Sequence, residues 1–291
     1  MVILLQEFNF LQPENYREAL NLLNEYHGKS KIIAGGTDLI VDLRKEKYTD
    51  LKYLIDISKL DELEYIKEDG EYIKIGSYTN HKSITKSDLV NKYAKILTLG
   101  CSEIGSPQIR NRGTIGGNII TGSPCADSVT PLVALNAIIV IESKEQKREV
   151  PIEEFYEGPY RPKIKANELL KEVYFKKLDN SYQGDFIKVK RRNAVSKARI
   201  NIAALGKIDQ AGKVFDIRLA PGSITPKPQR FKSVEELVKG REPDNEIIEK
   251  MGQKVAEIMI DKSGYRWSTE YKRPVIRDLT KRILKTVLEV E

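Results

Sequence analysis

Residues Asn111–Pro131 read NRGTIGGNIITGSPCADSVTP, and upstream of them Ala34–Leu39 reads AGGTDL. In the longer stretch Gly113, Gly116, Gly117 and Gly122 alternate with short hydrogen-bonding side chains, a pattern suited to a main chain that must come close to a ligand. The shorter stretch follows a strand pattern at Lys31–Ala34. It precedes Leu39, Ile40 and Leu43 at helical spacing, with Thr37 and Asp38 available as caps, so the order is strand, glycine turn, helix start. Successive N–H groups at such a turn hold a phosphate well, because no Cβ blocks the approach. Alone, AGGTDL is equally a plain strand-to-helix turn. Together the two segments suggest one diphosphate gripped from both sides. The first lacks the Lys-Ser/Thr ending of a P-loop and the spacing of the Rossmann fingerprint, so neither nucleotide hydrolysis nor NAD on that fold is indicated.

Working outward, the pattern predicts a helix over Pro13–Tyr26, strands at Tyr53–Ile57 and Tyr72–Ile75, and a helix over Leu89–Ile104. A long polar, glycine-rich stretch, Gly105–Asp127, follows before the strand Ile138–Glu142, and such a stretch inside a compact domain is more often functional than idle. After strand-like Leu169–Phe175, the polar run Lys176–Asp185 reads as a linker. Beyond it come antiparallel strands at Phe186–Lys190, Ile200–Ile208 and Val214–Leu219, with Gly212 at a hairpin turn. Helices at about Val234–Lys239, Asn245–Ile260 and Thr269–Leu288 close the chain. The expected fold class is α+β, with two domains favoured by a length of 291 residues.

Composition narrows the function. Lys+Arg 49 against Asp+Glu 42 gives 49 − 42 = +7, but the basic residues are dispersed among acidic ones rather than gathered into a patch, which argues against nucleic-acid binding. No apolar run is long enough to span a membrane, and the opening MVILLQEFNFLQPEN lacks the features of a signal peptide, so a cytoplasmic protein is expected. The two cysteines, Cys101 and Cys125, are too few for an iron–sulfur cluster and read as core or small filler. His27 and His81 have no metal-ligand partner at the usual spacing, so no metal is expected on this chain and both are read as structural or surface residues. A serine–histidine–acid arrangement for hydrolysis is likewise missing from the pattern.

IIAGGTDLI and QIRNRGTIGGNIITGSPCADSVTP resemble the two FAD loops of the flavin-binding subunits of molybdenum hydroxylases, the family of xanthine, nicotinate and aerobic carbon monoxide dehydrogenases. The resemblance continues through ELLKEVYF, FIKVKRR, RLAPGSITPKPQR and SGYRWSTEYKRP, and so covers nearly the whole chain in order. It implies a vanillyl-alcohol-oxidase (PCMH)-type FAD-binding domain of two α+β subdomains over 1–178 (about 1–57 and 58–178). A smaller α+β domain with a three-stranded antiparallel sheet and helices would follow over 179–291. It further implies a [2Fe-2S] small subunit and a molybdopterin large subunit as partners, with electrons leaving through FAD on this chain to NAD or another acceptor. The redox centre would be FAD itself, and no side chain is assigned a catalytic role.

By the same resemblance Ile33, Ala34, Gly35, Gly36, Thr37, Asp38 and Leu39 would line one side of the diphosphate, and Thr114, Ile115, Gly116, Gly117 and Asn118 the other. Asp127 would accept from ribityl or adenosine hydroxyls, or else simply cap the helix that follows it. Ile104 would pack beside the flavin ring, and Leu169 would make an apolar cofactor contact or belong to the core. Lys188 would place its ammonium at the flavin or nucleotide and raise the flavin potential, or lie on the surface of the basic KVKRR run. Arg192, with Arg191 beside it, matches a basic position near the flavin. The segment Asn193–Lys197 departs from the acidic pair common in xanthine-dehydrogenase-like members, which leaves the acceptor open. Two rival readings are a free-standing flavin-dependent oxidoreductase on the same fold, disfavoured because neither loop carries a persuasive acid/base residue, and a non-redox nucleotide-binding assembly module.

Overall fold

The computed structural model describes residues 7–192 and 195–291. Met1–Gln6, where the first expected subdomain begins, and Asn193-Ala194, in the segment expected to govern the acceptor, lie outside the described residues.

The first lobe comprises β1 (Asn9–Leu11), α1 (Tyr16–Glu25), β2 (Ser30–Ile33), α2 (Leu39–Arg44) and β3 (Tyr53–Asp56), with a parallel sheet in the order β1-β3-β2. Asn15 caps α1, whose first residue, Tyr16, lies three residues inside the helix as read from sequence, because the Asn15 side chain accepts from Glu18 N. Ala19, Leu20 and Leu23 of α1 pack on Ile55 and Ile57.

The second lobe contains β4 (Ile66–Asp69), β5 (Tyr72–Gly76), α3 (His81–Lys86), α4 (Asp88–Tyr93), α5 (Lys95–Ser102), α6 (Pro107–Arg112), α7 (Ile115–Thr121) and α8 (Val129–Ala134). It continues with β6 (Ile138–Glu142), β7 (Lys147–Pro151), the small hairpin of β8 (Tyr156–Gly158) and β9 (Arg161–Pro162), and β10 (Leu169–Lys176). Its antiparallel sheet runs β4-β5-β10-β6-β7. Two sequence expectations change here. The helix read as Leu89–Ile104 is broken at Ala94 (φ −156°, ψ 50°) into α4 and α5. The stretch read as irregular, Gly105–Asp127, holds α6 and α7, which are six and seven residues long and so too short to impose a legible period.

The C-terminal part contains β11 (Gln183–Val189), β12 (Ile200–Ile208), β13 (Val214–Gly222), α9 (Lys232–Glu235), α10 (Asn245–Ser263) and α11 (Thr269–Val287), with the antiparallel order β11-β12-β13. Strand alternation gives this sheet two buried faces. Ile200, Ile202 and Ala204 pack with Ile248, Met251 and Val255 of α10 and with Ile276 and Ile283 of α11. Ala203, Leu205, Phe186 and Ala220 point the other way, into the core of the second lobe. The lobe boundary is therefore spanned by a continuous hydrophobic core.

Candidate functional site

Gly35 and Arg112 bring the two glycine segments together. A Cβ on Gly35 would sit 1.8 Å from the Arg112 carbonyl oxygen and 3.1 Å from Gly113 Cα, so only glycine permits this main-chain contact. Gly36 follows at φ +71°, a left-handed conformation that glycine adopts without strain. Further along, the Thr121 hydroxyl donates to Asp38 Oδ2 at 3.2 Å. Asp38 precedes α2 without a side-chain capping bond, so the expected cap at Thr37 or Asp38 is not formed; the carboxylate bridges to the second segment instead.

The segments differ in what their main chains offer. Among the described residues the N–H groups from Gly35 to Leu39 meet no protein acceptor, and the segment is partly open to solvent. A successive run of unpaired donors is well suited to a phosphate. In the second segment Ile115 N donates to Thr79 O (2.9 Å), Gly116 N to Ser77 O (2.9 Å), Gly117 N to the Thr114 hydroxyl (3.0 Å) and Asn118 N to Thr114 O (3.0 Å). The expectation of bare donors on both sides is thereby corrected for Ile115, Gly116, Gly117 and Asn118. From Ile115 to Asn118 the second segment spends its main-chain donors on Ser77 and Thr79, just past β5, and on its own cap, so there it presents shape rather than N–H groups.

That shape is specific. A Cβ on Gly116 would meet Ser77 at 2.7 Å, whereas one on Gly117 would meet only the Thr114 hydroxyl at 3.0 Å. Gly116 thus packs inward while Gly117 is exposed to solvent, with the Thr114 hydroxyl as its one close neighbour. Asn118 is oriented by Ser128, whose hydroxyl lies 2.7 Å from Asn118 Oδ1.

Asp127 lies just beyond this segment and is buried. The residue at the cap of α8 is Ser128, with no side-chain capping bond, so the helix-cap alternative for Asp127 fails. Its Oδ2 accepts from Lys188 Nζ at 2.6 Å and its Oδ1 from Asn201 Nδ2 at 2.9 Å. Lys188 also donates to Glu103 O at 2.8 Å, and its side chain is 1% exposed, so the surface-lysine reading of the KVKRR run is corrected. Burial pushes the Asp127 carboxyl above the ordinary carboxylate range, while Lys188 and then Asn201 pull it back. Because the two charges touch, Lys188 acts as one end of a dipole. The effect expected of an isolated cation on a flavin is correspondingly weaker.

The remaining expected residues divide. Ile104, at 9% exposure, directly follows Glu103, and its carbonyl accepts from Arg110. Ile33 and Leu39 pack with Leu43 beneath the first segment. Leu169 is buried among Ile55, Leu60 and Leu63 of the first-lobe core. Arg191 and Arg192 are exposed, and Arg192 donates to Val195 O. His81 is buried at 2% exposure while His27 is exposed; Cys101 is fully buried, with its thiol pushed up by burial, and Cys125 is half-buried. Asn201 and Thr130 were not singled out from sequence. The available signal was an amide in INIAAL, Ile200–Leu205, an otherwise apolar strand. Among the described residues no group of three or more His, Cys, Asp or Glu could hold a metal ion, and no helix is long and apolar enough to cross a membrane.

A mixed α+β chain with this pair of converging segments has clear relatives. Residues 6–175 match the FAD binding domain in molybdopterin dehydrogenase, and residues 185–287 match the CO dehydrogenase flavoprotein C-terminal domain. The chain belongs to this family of FAD-binding oxidoreductase subunits. It is 30% identical to the nicotinate dehydrogenase FAD-subunit of Eubacterium barkeri, over 98% of this chain and 97% of that one. It is 32% identical to the glyceraldehyde dehydrogenase medium chain of Sulfolobus acidocaldarius, over 97% and 98% respectively. The carbon monoxide dehydrogenase of Hydrogenophaga pseudoflava, solved in a form lacking the Mo-pyranopterin moiety, superposes with a TM-score of 0.91 at 26% identity, covering 98% of this chain and 99% of that one.

Proposed function

We propose that this chain is the electron-outlet subunit of a molybdenum-containing hydroxylase, with FAD seated between the two glycine segments. The observation that carries the reading is the run of unpaired N–H groups from Gly35 to Leu39, set directly against the second segment at the Gly35–Arg112 contact. Those donors would hold the diphosphate oxygens, joined by the Thr37 hydroxyl, while exposed Gly117 leaves room on the opposite side. Ala34, Thr114, Ile115, Gly116 and Asn118 would shape that cleft. Each oxygen of Asp127 has a second lone pair beyond its bond to Lys188 or Asn201, which suits a cofactor hydroxyl. Ile104 would keep water from the ring. Bound FAD supplies one-electron and hydride chemistry in one group.

Partners of the resemblance's kind would feed it: a [2Fe-2S] small subunit and a molybdopterin large subunit. Names such as FAD-subunit and medium chain among the relatives support a multi-subunit setting. Electrons would leave this chain to an external acceptor such as NAD. Two free cysteines are in keeping with a cytoplasmic setting, and the flavin-binding part would end near residue 178. The test is purification from the native host with metal analysis and a visible spectrum. Stoichiometric molybdenum, iron and flavin with this chain are expected. A metal-free, lone chain that steadily turns over an organic substrate, or a colourless chain that refuses FAD, would overturn the reading in favour of an independent enzyme or an assembly module.

A further inference from the structure

In β12, buried on both faces, an amide has to be explained. Asn201 is 0% exposed, and leaving its polar atoms unbonded would be costly. Its Nδ2 donates to Asp127 Oδ1 at 2.9 Å, and its Oδ1 accepts from the Thr130 hydroxyl at 3.0 Å. Gly222, opposite on β13, is shaped around it: a Cβ there would lie 2.0 Å from Asn201 Oδ1 and 2.6 Å from Thr130 Oγ1. Lys188 is the cross-strand neighbour of Asn201 on β11, so two adjacent strands reach the same carboxylate. Charge alone does not require this. The Lys188 ion pair already compensates Asp127, but a single contact leaves the carboxylate plane free to turn about its Cβ–Cγ bond. Gripping Oδ1 and Oδ2 from different strands fixes that plane and the direction of the remaining lone pairs.

We propose that Asn201 is a positioning residue for the cofactor site: held by Thr130, it locks Asp127 in the one orientation that accepts a hydroxyl of the bound FAD. FAD affinity then depends on an amide in the C-terminal sheet, across the boundary from both glycine segments. This rests on the FAD reading above.

The full chain and two variants, Asn201→Asp and Asn201→Leu, are titrated with FAD, following flavin fluorescence and the visible circular dichroism of the bound flavin. The charged and titratable groups around position 201 are Asp127 and Lys188, with Glu103 and Cys101 behind them. In Asn201→Asp a shared proton lets the new carboxyl donate to Asp127 as the amide did; once it is lost, the two carboxylates repel. FAD affinity should therefore be near wild type at about pH 6 and fall by about tenfold towards about pH 9, on the scale of one hydrogen bond to a charged group. Asn201→Leu should bind about tenfold more weakly at every pH, with an altered flavin dichroism. A role confined to bolting the lobes together would lower the melting temperature and leave both readouts unmoved, which would overturn the proposal. If neither variant folds, Thr130→Val frees the far end of the amide without touching Asp127; several-fold weaker FAD supports the proposal and unchanged affinity overturns it. Wild-type chain that takes up no FAD at all refutes the functional reading itself, a separate result.

Discussion

His81 sits at the first position of α3, where its main-chain N–H donates to Gly113 O at 3.0 Å and so braces the second glycine segment. Its ring is buried, Nδ1 has no partner, and burial, helped by the nearby Arg110 charge, lowers its pKa to about 4. Above its ordinary pKa the imidazole is neutral whether the chain is folded or not. As the pH falls below that value, the unfolded chain binds a proton that folded His81 accepts only near its own lowered pKa. Stability therefore drops across the interval between the two, by up to ~3 kcal/mol for this one group. His81→Leu should flatten that part of the acid-unfolding curve, measured by urea midpoints at successive pH values. An unchanged slope would show that the ring is not held neutral.

At the scale of elements, β11 delivers Lys188 to a carboxylate on another lobe. Lys188→Met would leave Asp127 buried with only Asn201 as a side-chain partner, which should cost about 4 kcal/mol at neutral pH and less in acid, where the carboxylate can take a proton. Urea denaturation at both pH values checks this; equal losses would contradict it. The same pair shows where sequence reading stops. The alternation in β12 and the spacings of α10 and α11 were legible because burial imposes a period on them, and the glycine segments because close main-chain approach excludes other residues. The destination of Lys188 was not, since a lysine between Ile187 and Val189 looks alike whether it reaches water or a carboxylate from another lobe. The occupied donors of Ile115 and Gly116 were also hidden. They depend on Thr79 and Ser77, far away in sequence and fixed only by tertiary packing.

For the whole molecule, the C-terminal sheet shares its apolar faces between two cores, with Ala203 and Leu205 on one side and Ile200 and Ile202 on the other. Removing either face from its neighbour would expose a strand built for burial, so the C-terminal part and the second lobe should unfold together. Calorimetry of the chain is expected to give one transition whose calorimetric and van't Hoff enthalpies agree; two resolved transitions would mean that the shared sheet does not couple them. FAD should raise that transition by mass action, by about 2.7 kcal/mol when its free concentration is 100 times Kd. The central claim, that the two converging glycine segments hold FAD, is tested most directly by the flavin content of Gly117→Val. In the protein alone a side chain there meets only the Thr114 hydroxyl. The account predicts a folded chain, with melting lowered modestly by pressure on the Thr114 cap, and no retained flavin. Full FAD occupancy in that variant would contradict it.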